Sequence, residues 1–415
     1  MIEALEKQIR ESSSNEIKLY GNIDLIVEKK NSISIGKNIL RKLISIEKSD
    51  ITIDGSDAII NLKICEEPDT DLALFYIPKG IRNVHFKNIK IYVNIELSEN
   101  SSRTFYVLYN NSNGVKVDNC VIDIVSQNQM NLMGIYNNGE FNTNMITYAD
   151  DFSVLNSSIR VKCCSQSFTK KCDIYGIYNN LANNLLIQGS NILVVNAGKG
   201  IEQKAFGIYT NGRFGRIIGN NIKANSSHPQ GKEKEQGHSY GIYNQGLYSI
   251  ITSNNIVAEW AGTAITIENR GDHTKIGSNK ILSTHTICGR CVRNYAGKCI
   301  IDGNIITTTS KNARMIDNYG AECIITNNYL ESLIPTEACL TGCGIYSVDE
   351  NSKDVIVTNN IIKNTKNCGL FIGQSAGIVK DNILKSTSPI FEPYAESSNK
   401  RISDLLDEKN IYSIN

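Results

Sequence analysis

Gly134-Ile-Tyr-Asn-Asn, Gly176-Ile-Tyr-Asn-Asn, Gly207-Ile-Tyr-Thr-Asn and Gly241-Ile-Tyr-Asn-Gln are four copies of one motif. Weaker copies stand at Val107-Leu-Tyr-Asn-Asn, Thr266-Ile-Glu-Asn-Arg, Cys291-Val-Arg-Asn-Tyr, Met315-Ile-Asp-Asn-Tyr, Gly344-Ile-Tyr-Ser and Gly369-Leu-Phe. Successive starts lie 27, 42, 31, 34, 25, 25, 24, 29 and 25 residues apart. A floor near 25 with occasional excess is one structural turn plus loop insertions, and repeats of this size stack as solenoids. Ile135, Ile177, Ile208, Ile242, Ile267, Val292, Ile316, Ile345 and Leu370 form one apolar column flanked by residues of another kind. That is strand alternation rather than helical spacing. Asn221-Ile222, Asn255-Ile256, Asn304-Ile305, Asn360-Ile361 and Asn382-Ile383 introduce a second short strand. An Asn at a recurring bend suits a hydrogen-bonded ladder, because Asn tolerates left-handed backbone and bonds its own chain. The expectation is an all-β chain: a single-stranded, right-handed parallel β-helix of roughly thirteen coils, the early ones around Ile23, Leu43 and Phe75.

The stretch Ile51-Thr-Ile-Asp-Gly-Ser-Asp-Ala-Ile-Ile resembles the opening coils of the pectate-lyase-like β-helix superfamily, and the following coils resemble it along most of the chain. The resemblance implies a fold more than an activity. That superfamily includes polysaccharide lyases, polygalacturonase-type hydrolases, epimerases, phage tailspikes and non-catalytic adhesins. The polygalacturonase-like motif set is not met. Asp150-Asp151 is an adjacent aspartate pair, but Gly237-His238-Ser239 lies far downstream with Ser in place of Gly, so those roles are not carried over.

Composition narrows the partners. The 415 residues carry 43 Lys+Arg against 42 Asp+Glu, a net of +1, which argues against coating nucleic acid or an anionic membrane through bulk charge. No apolar run reaches the length of a transmembrane helix. The opening Met1-Ile-Glu-Ala-Leu-Glu-Lys lacks the apolar core of a signal peptide. The expected location is therefore cytoplasmic, or secreted if the sequence begins at a mature N-terminus. The 12 cysteines follow no paired zinc spacing and read as packed, reduced thiols.

An open solenoid exposes strand edges and core at both ends, so caps are expected. Residues 1–20, with Ile2, Leu5 and Ile9 at helical spacing, are assigned to an N-terminal cap. Residues 21–390 form the β-helix. Residues 391–415, with Ile402, Leu405 and Leu406 on one helical face, form a C-terminal cap segment.

Two positions after each motif start, a residue is expected to point outward: Tyr109, Tyr136, Tyr178, Tyr209, Tyr243, Glu268, Arg293, Asp317, Tyr346 and Phe371. The tyrosines make a flat aromatic strip, followed by acid, base and acid on three successive rungs. Gly134, Gly176, Gly207 and Gly241 are expected to leave the neighbouring outward column bare beside the rings. Insertions at Cys163–Asp173, Ala197–Ala205, Ser226–Ser239 and Glu331–Cys343 would wall one side, giving a groove that opens into a charged section. Stacking alone would also produce such a strip, and a surface salt-bridge ladder would also produce the three charges.

The sharper reading is chemical. Tyr136, Tyr178, Tyr209 and Tyr243 offer a platform for sugar rings. Glu268 and Asp317, two rungs and roughly 9–10 Å apart by strand spacing, approach the separation of an inverting glycosidase. Arg293 between them opposes that role by holding both acids ionised. Elimination or epimerisation fits the same residues differently, since the C5 proton of a uronic acid becomes acidic once its carboxylate is neutralised. Arg270, Arg290, Arg293 and Arg314 could supply that neutralisation, with His238 and His273 as candidate proton carriers and Trp260 as rim packing or a sugar subsite. No cofactor is called for. The resemblance to lyases implies Ca²⁺, to which Glu268, Asp272 and Asp317 could contribute without forming a convincing cluster. The first expectation is thus a carbohydrate-active enzyme acting on an acidic oligo- or polysaccharide by lyase, epimerase or hydrolase chemistry centred on Glu268, Arg293 and Asp317. The alternatives are a non-catalytic glycan- or protein-binding β-helix, or a structural, tailspike-like module. Oligomeric state is left open.

Overall fold

The computed structural model describes residues 2–27, 40–66, 68, 70–139, 149–165, 171–197, 203–226, 237–259, 262–284, 286, 288–310, 312–333, 342–348, 351–365, 368–373, 377–386, 390–391 and 411–412. The chain forms two compact units, one of residues 1–216 and 224–237 and the other of residues 217–223 and 238–415. Both are parallel β-helices. A typical coil contributes one strand of five to eight residues to a first sheet, then two shorter strands to a second.

In the first unit, Arg41–Ser45, Leu72–Ile77, Thr104–Asn110, Asn131–Asn138, Asp173–Asn180 and Lys204–Thr210 pair in parallel, each with the next. In the second unit the series is His238–Asn244, Thr263–Asn269, Cys288–Asn294, Asn312–Asn318, Cys343–Ser347, Cys368–Ile372 and Ile390–Phe391. Six and seven strands among the described residues match the coil number expected from the repeat. The expected apolar column runs through both series and is fully buried, from Ile135 to Ile208 and from Ile242 to Leu370.

Polar ladders close the corners. In the second unit Asn220, Asn254, Asn279, Asn304, Asn328, Asn360 and Asn382 stack as buried side chains. Each one's backbone N–H and side-chain amide, from Asn254 to Asn360, donate to the next Asn Oδ1 at 2.9–3.0 Å. Each amide from Asn254 onward also donates to a carbonyl of the preceding coil, as Asn279 does to Ile251 at 2.9 Å. At Asn220-Asn221 and Asn254-Asn255 the ladder uses the first Asn, one place before the residue the sequence pattern favoured; Asn221 and Asn255 are exposed. The left-handed residue is the one before each ladder Asn, for example Gly219, Ser253, Ser278 and Gly303. A second ladder ends the first sheet: Asn110, Asn137, Asn179 and Thr210 in one unit, Asn244, Asn269, Asn294, Asn318 and Ser347 in the other.

At the start of the chain an α-helix, Ile2–Glu11, buries Leu5 and Ile9, and Glu6 Oε1 accepts the Ser45 backbone N–H at 3.2 Å. Strand pairing already begins at Glu16, inside the segment assigned to the cap. The expected C-terminal helix around Ile402, Leu405 and Leu406 lies outside the described residues; beyond Phe391 only the strand Ile411–Tyr412 is described, paired to Ile383–Ser386.

Replacing Asn279 with Ala removes the acceptor of two Asn254 donors and the donor to Ile251 in one step. With buried orphans costing roughly 1–3 kcal/mol each, Asn279→Ala should lower unfolding stability by at least about 2 kcal/mol. The exposed Asn255→Ala should stay within about 0.5 kcal/mol. Urea titration followed by circular dichroism distinguishes the two.

Candidate functional site

The expected outward column exists, unit by unit. In the first unit the register is Tyr76, Tyr109, Tyr136, Tyr178 and Tyr209; in the second it is Tyr243, Glu268, Arg293, Asp317, Tyr346 and Phe371. The glycine column, however, turns inward. A Cβ on Gly134 would meet Ile159 Cγ2 at 2.9 Å and the Gly176 carbonyl at 2.7 Å, and one on Gly241 would meet Ile256 Cγ2 at 2.5 Å. These glycines therefore let the two sheets approach each other, and they leave no bare strip beside the rings. Because Gly and Ile both face inward, the residue before Gly faces outward, which creates a second outer column that strict alternation misses. It is Tyr106, Met133, Tyr175 and Phe206 in the first unit, and Tyr240, Ile265, Arg290, Arg314 and Cys343 in the second.

The aromatic ladder of the first unit is not flat. Tyr109–Tyr136 meet edge to face at 4.8 Å and 68°, Tyr136–Tyr178 are tilted by 51°, and only Tyr178–Tyr209 stack, at 4.4 Å and 10°. Their hydroxyls are tied into a third file of side chains: Tyr136 Oη donates to Asn138 Oδ1 at 3.0 Å, and Asn138, Asn111, Asn180 and Asn211 are linked by their amides at 2.9–3.2 Å. Rings interlocked in this way stabilise the sheet. The wall of insertions lies mostly outside the described residues, as does Trp260.

The charged rungs of the second unit correct the expectation of an open section. Glu268 is 2% exposed and Asp317 is 0% exposed. Three guanidiniums enclose Asp317: Arg314 Nη1 lies 2.9 Å from Oδ1, while Arg290 Nε and Arg293 Nε lie 3.1 and 3.3 Å from Oδ2. Arg290 is itself buried and donates through Nη1 to the Gly289 and Asn312 carbonyls. Burial lowers its pKa, and the charges of Arg314 and Arg293 lower it further against the pull of Asp317. Glu268 Oε1 accepts from Arg270 Nε at 2.7 Å, and Arg270 is half-exposed. Four arginines thus face two carboxylates on three neighbouring rungs.

Aromatic rings frame this cluster. The Arg270 guanidinium sits 4.6 Å over Tyr295, and Arg314 sits 3.6 Å over Tyr346. Tyr295 and Tyr319 stack at 4.9 Å and 12°, and Tyr319 Oη accepts from Arg314 Nη1 at 3.0 Å. Burial, with Asp317 nearby, pushes the Tyr319 phenol up to about 12. Burial likewise raises Tyr240 and Tyr243, with Glu268 as the next cause. Tyr240, Tyr295 and Tyr319 belong to the two outer columns that the simple alternation left unassigned.

The other sequence candidates are not drawn into the cluster. His238 begins its strand, in register with Thr263 and Cys288, with its ring 6.3 Å from Tyr240. His273 occupies a left-handed turn and stacks on Tyr248 at 4.8 Å. Glu268, Asp272 and Asp317 do not converge: Asp272 Oδ1 accepts from the Gly297 N–H, and the other two carboxylates are taken by arginines. No group of three or more His, Cys, Asp or Glu suited to a metal occurs among the described residues. These acids do not fit a Ca²⁺ site, which needs six or more converging oxygens. No helix among the described residues is long and apolar enough to cross a membrane.

Compared with known proteins, no family model matches the chain and no curated protein matches it. Solved structures do. The Dettilon tailspike protein is 12% identical over 81% of this chain with a TM-score of 0.40, and the chain spans 62% of that protein. The A-module of the mannuronan C-5 epimerase AlgE4 of Azotobacter vinelandii is 10% identical, with 86% of this chain and 91% of the module covered and a TM-score of 0.38. A PL6 alginate lyase, solved with a trisaccharide, is 12% identical, with 100% and 82% covered and a TM-score of 0.36. At this identity the likeness extends to the fold alone.

Removing the Asp317 carboxylate leaves three partly or fully buried guanidiniums without their counter-charge. Asp317→Ala should therefore cost about 3–5 kcal/mol of stability by urea unfolding, whereas a residue kept for catalysis alone would leave stability unchanged or higher. A second expectation concerns alkaline pH. A phenol whose native pKa lies above its unfolded value near 10 contributes stability that is complete below that value and lost as pH climbs through the native one. Absorbance titration at the phenolate band should show a delayed group that includes Tyr319, ionising at about 12. Stability should fall in the same interval, and Tyr319→Phe should remove part of the delayed group.

Proposed function

We propose that the chain recognises an acidic, uronic-acid-containing glycan through the outer face of the second unit. The observation that carries this reading is the excess of guanidinium over carboxylate at Arg270, Arg290, Arg293 and Arg314, set among the rings of Tyr243, Tyr295, Tyr319 and Tyr346. A carboxylated sugar supplies both missing partners. Its anion completes the charge balance of the arginines, and the apolar face of its ring packs on a tyrosine. Arg270, half-exposed, and Arg293, partly buried, are the most accessible members at 46% and 21% by side chain and are the groups a ligand meets first. Arg290 and Asp317 lie beneath them and position the layer above.

Recognition without turnover is the reading the geometry favours. Hydrolysis would need two carboxylates open to the substrate, and both are covered and salt-bridged. A second reading, elimination or epimerisation at C5, keeps the arginines as the neutralising group. It lacks a ready base in Tyr243 and Tyr319, whose pKa values are raised rather than lowered. A third reading, a tailspike-like structural role, leaves the arginine excess without a purpose.

Calorimetric titration with uronic-acid oligosaccharides and their neutral counterparts tests the proposal. Binding should be confined to the acidic series and weaken with salt. Arg270→Ala should lower affinity roughly ten- to hundred-fold, as expected for loss of one charge-assisted hydrogen bond. Equal affinity for neutral sugars, or an unchanged affinity in Arg270→Ala, would overturn it. Incubation of the same oligosaccharides, read by ultraviolet absorbance for unsaturated ends and by proton resonances for inverted C5 centres, decides between binding and turnover.

A further inference from the structure

Two pairs of buried thiols stand outside the arginine face and have no part in glycan recognition. Cys299 and Cys323 each immediately precede strands whose first residues, Ile300 and Ile324, are in register, and the Ile324 N–H donates to the Cys299 carbonyl at 2.9 Å. The two cysteines therefore occupy one position on successive coils, about 4.8 Å apart by strand spacing. That falls inside the Cα separation a disulfide spans. The corner ladder aims both sulfurs the same way: Asn269 Nδ2 donates to Cys299 Sγ at 3.3 Å, and Asn294 Nδ2 donates to Cys323 Sγ at 3.4 Å. In the first unit, Cys163 ends the strand Ser158–Cys163 and Cys172 immediately precedes Asp173–Asn180, on either side of the insertion. Their sulfurs meet backbone carbonyls two residues apart on the preceding coil, Asn128 at 3.4 Å and Met130 at 3.1 Å.

We propose that Cys299–Cys323 and Cys163–Cys172 are disulfide-forming sites, the first stapling consecutive coils and the second clamping the base of an insertion loop. All four thiols are free here, and within each pair one thiol hydrogen-bonds the other. That bond couples the two thiols of each pair, and whichever loses its proton becomes the attacking thiolate. The oxidant is a low-molecular-weight disulfide such as oxidised glutathione. The attacking thiolate forms a mixed disulfide and expels one small thiolate. The second protein thiol, losing its proton to solvent, attacks the mixed bond and expels the other. Two small thiols are produced for each protein disulfide, so electrons and protons balance. Because all four cysteines are at most 1% exposed, exchange proceeds when a coil opens locally.

The full chain is held in a glutathione redox buffer with sub-denaturing urea and sampled over days, and is also refolded from denaturant in the same buffer. A parallel sample stays in excess reduced thiol. Thiols counted in denaturant should fall by four from the twelve of the sequence. Non-reduced peptide mapping should recover a peptide pair joining Cys299 to Cys323 and another joining Cys163 to Cys172, and the oxidised chain should melt at a higher temperature. Each pair is judged on its own cross-linked peptide. If a pair's peptide is missing in both oxidising arms, or either cysteine is joined elsewhere, that site is overturned. Cys299→Ser keeps a small polar side chain below the ladder and should abolish only the first cross-link.

Discussion

The hydrogen bond that passes from one coil to the same position of the next is the constraint on which both units depend. In the second unit the Asn254-to-Asn382 ladder makes this visible, with side-chain amide and backbone N–H converging on one carbonyl oxygen at every rung. A buried amide satisfied on all sides contributes modestly, while one left unpaired is expensive. A slip of one residue at any coil would strand several such groups together. The ladder thus fixes register more than it adds stability, and everything on the outer face inherits that register.

Fixed register means that a side chain's nearest neighbours are its own counterparts on adjacent coils. Apolar positions benefit, and so do Asn and Tyr, which bond or stack with copies of themselves. Charged positions cannot repeat in that way. Arg290 and Arg314 face each other directly in register, two like charges one strand spacing apart. They are tolerated because Asp317 sits between them and Arg293, with an oxygen for Arg314 and another approached by Arg290 and Arg293. Asp317 is buried because it is surrounded on the rung, although its strand points it outward. An ion cluster of this kind is a weak source of net stability but is costly to break, and its surplus positive charge is what an anionic ligand would complete.

Most of the scaffold was legible from the spacing of Ile and Asn. The single file from Tyr243 through Glu268, Arg293 and Asp317 was also legible, since a period of two residues around a buried Ile places the next position outside. The same rule misplaced the glycines. At Gly134, Gly176 and Gly241 two consecutive residues face inward, which only the close approach of Ile159, Ile192 and Ile256 reveals. That local departure shifted the outer columns, so Tyr240, Tyr175 and Phe206 went unassigned while Arg290 and Arg314 were placed near the site by proximity alone. The choice between Asn254 and Asn255 in the ladder was undecidable by pattern, because adjacent Asn residues satisfy it equally.

By itself the sequence determined a coiled, parallel, all-β architecture, its buried column and the order of residues along one outer file, because these follow from periodicity along the chain. The tertiary structure decided which of those outer residues meet solvent. Exposure of Asp317 or Glu268 depends on where guanidiniums from neighbouring coils fold over them, and long flexible side chains reach across rungs in directions no linear spacing encodes. The same holds for one pair of thiols: Cys299 and Cys323, 24 residues apart in the chain, meet only because successive coils lie one strand spacing apart.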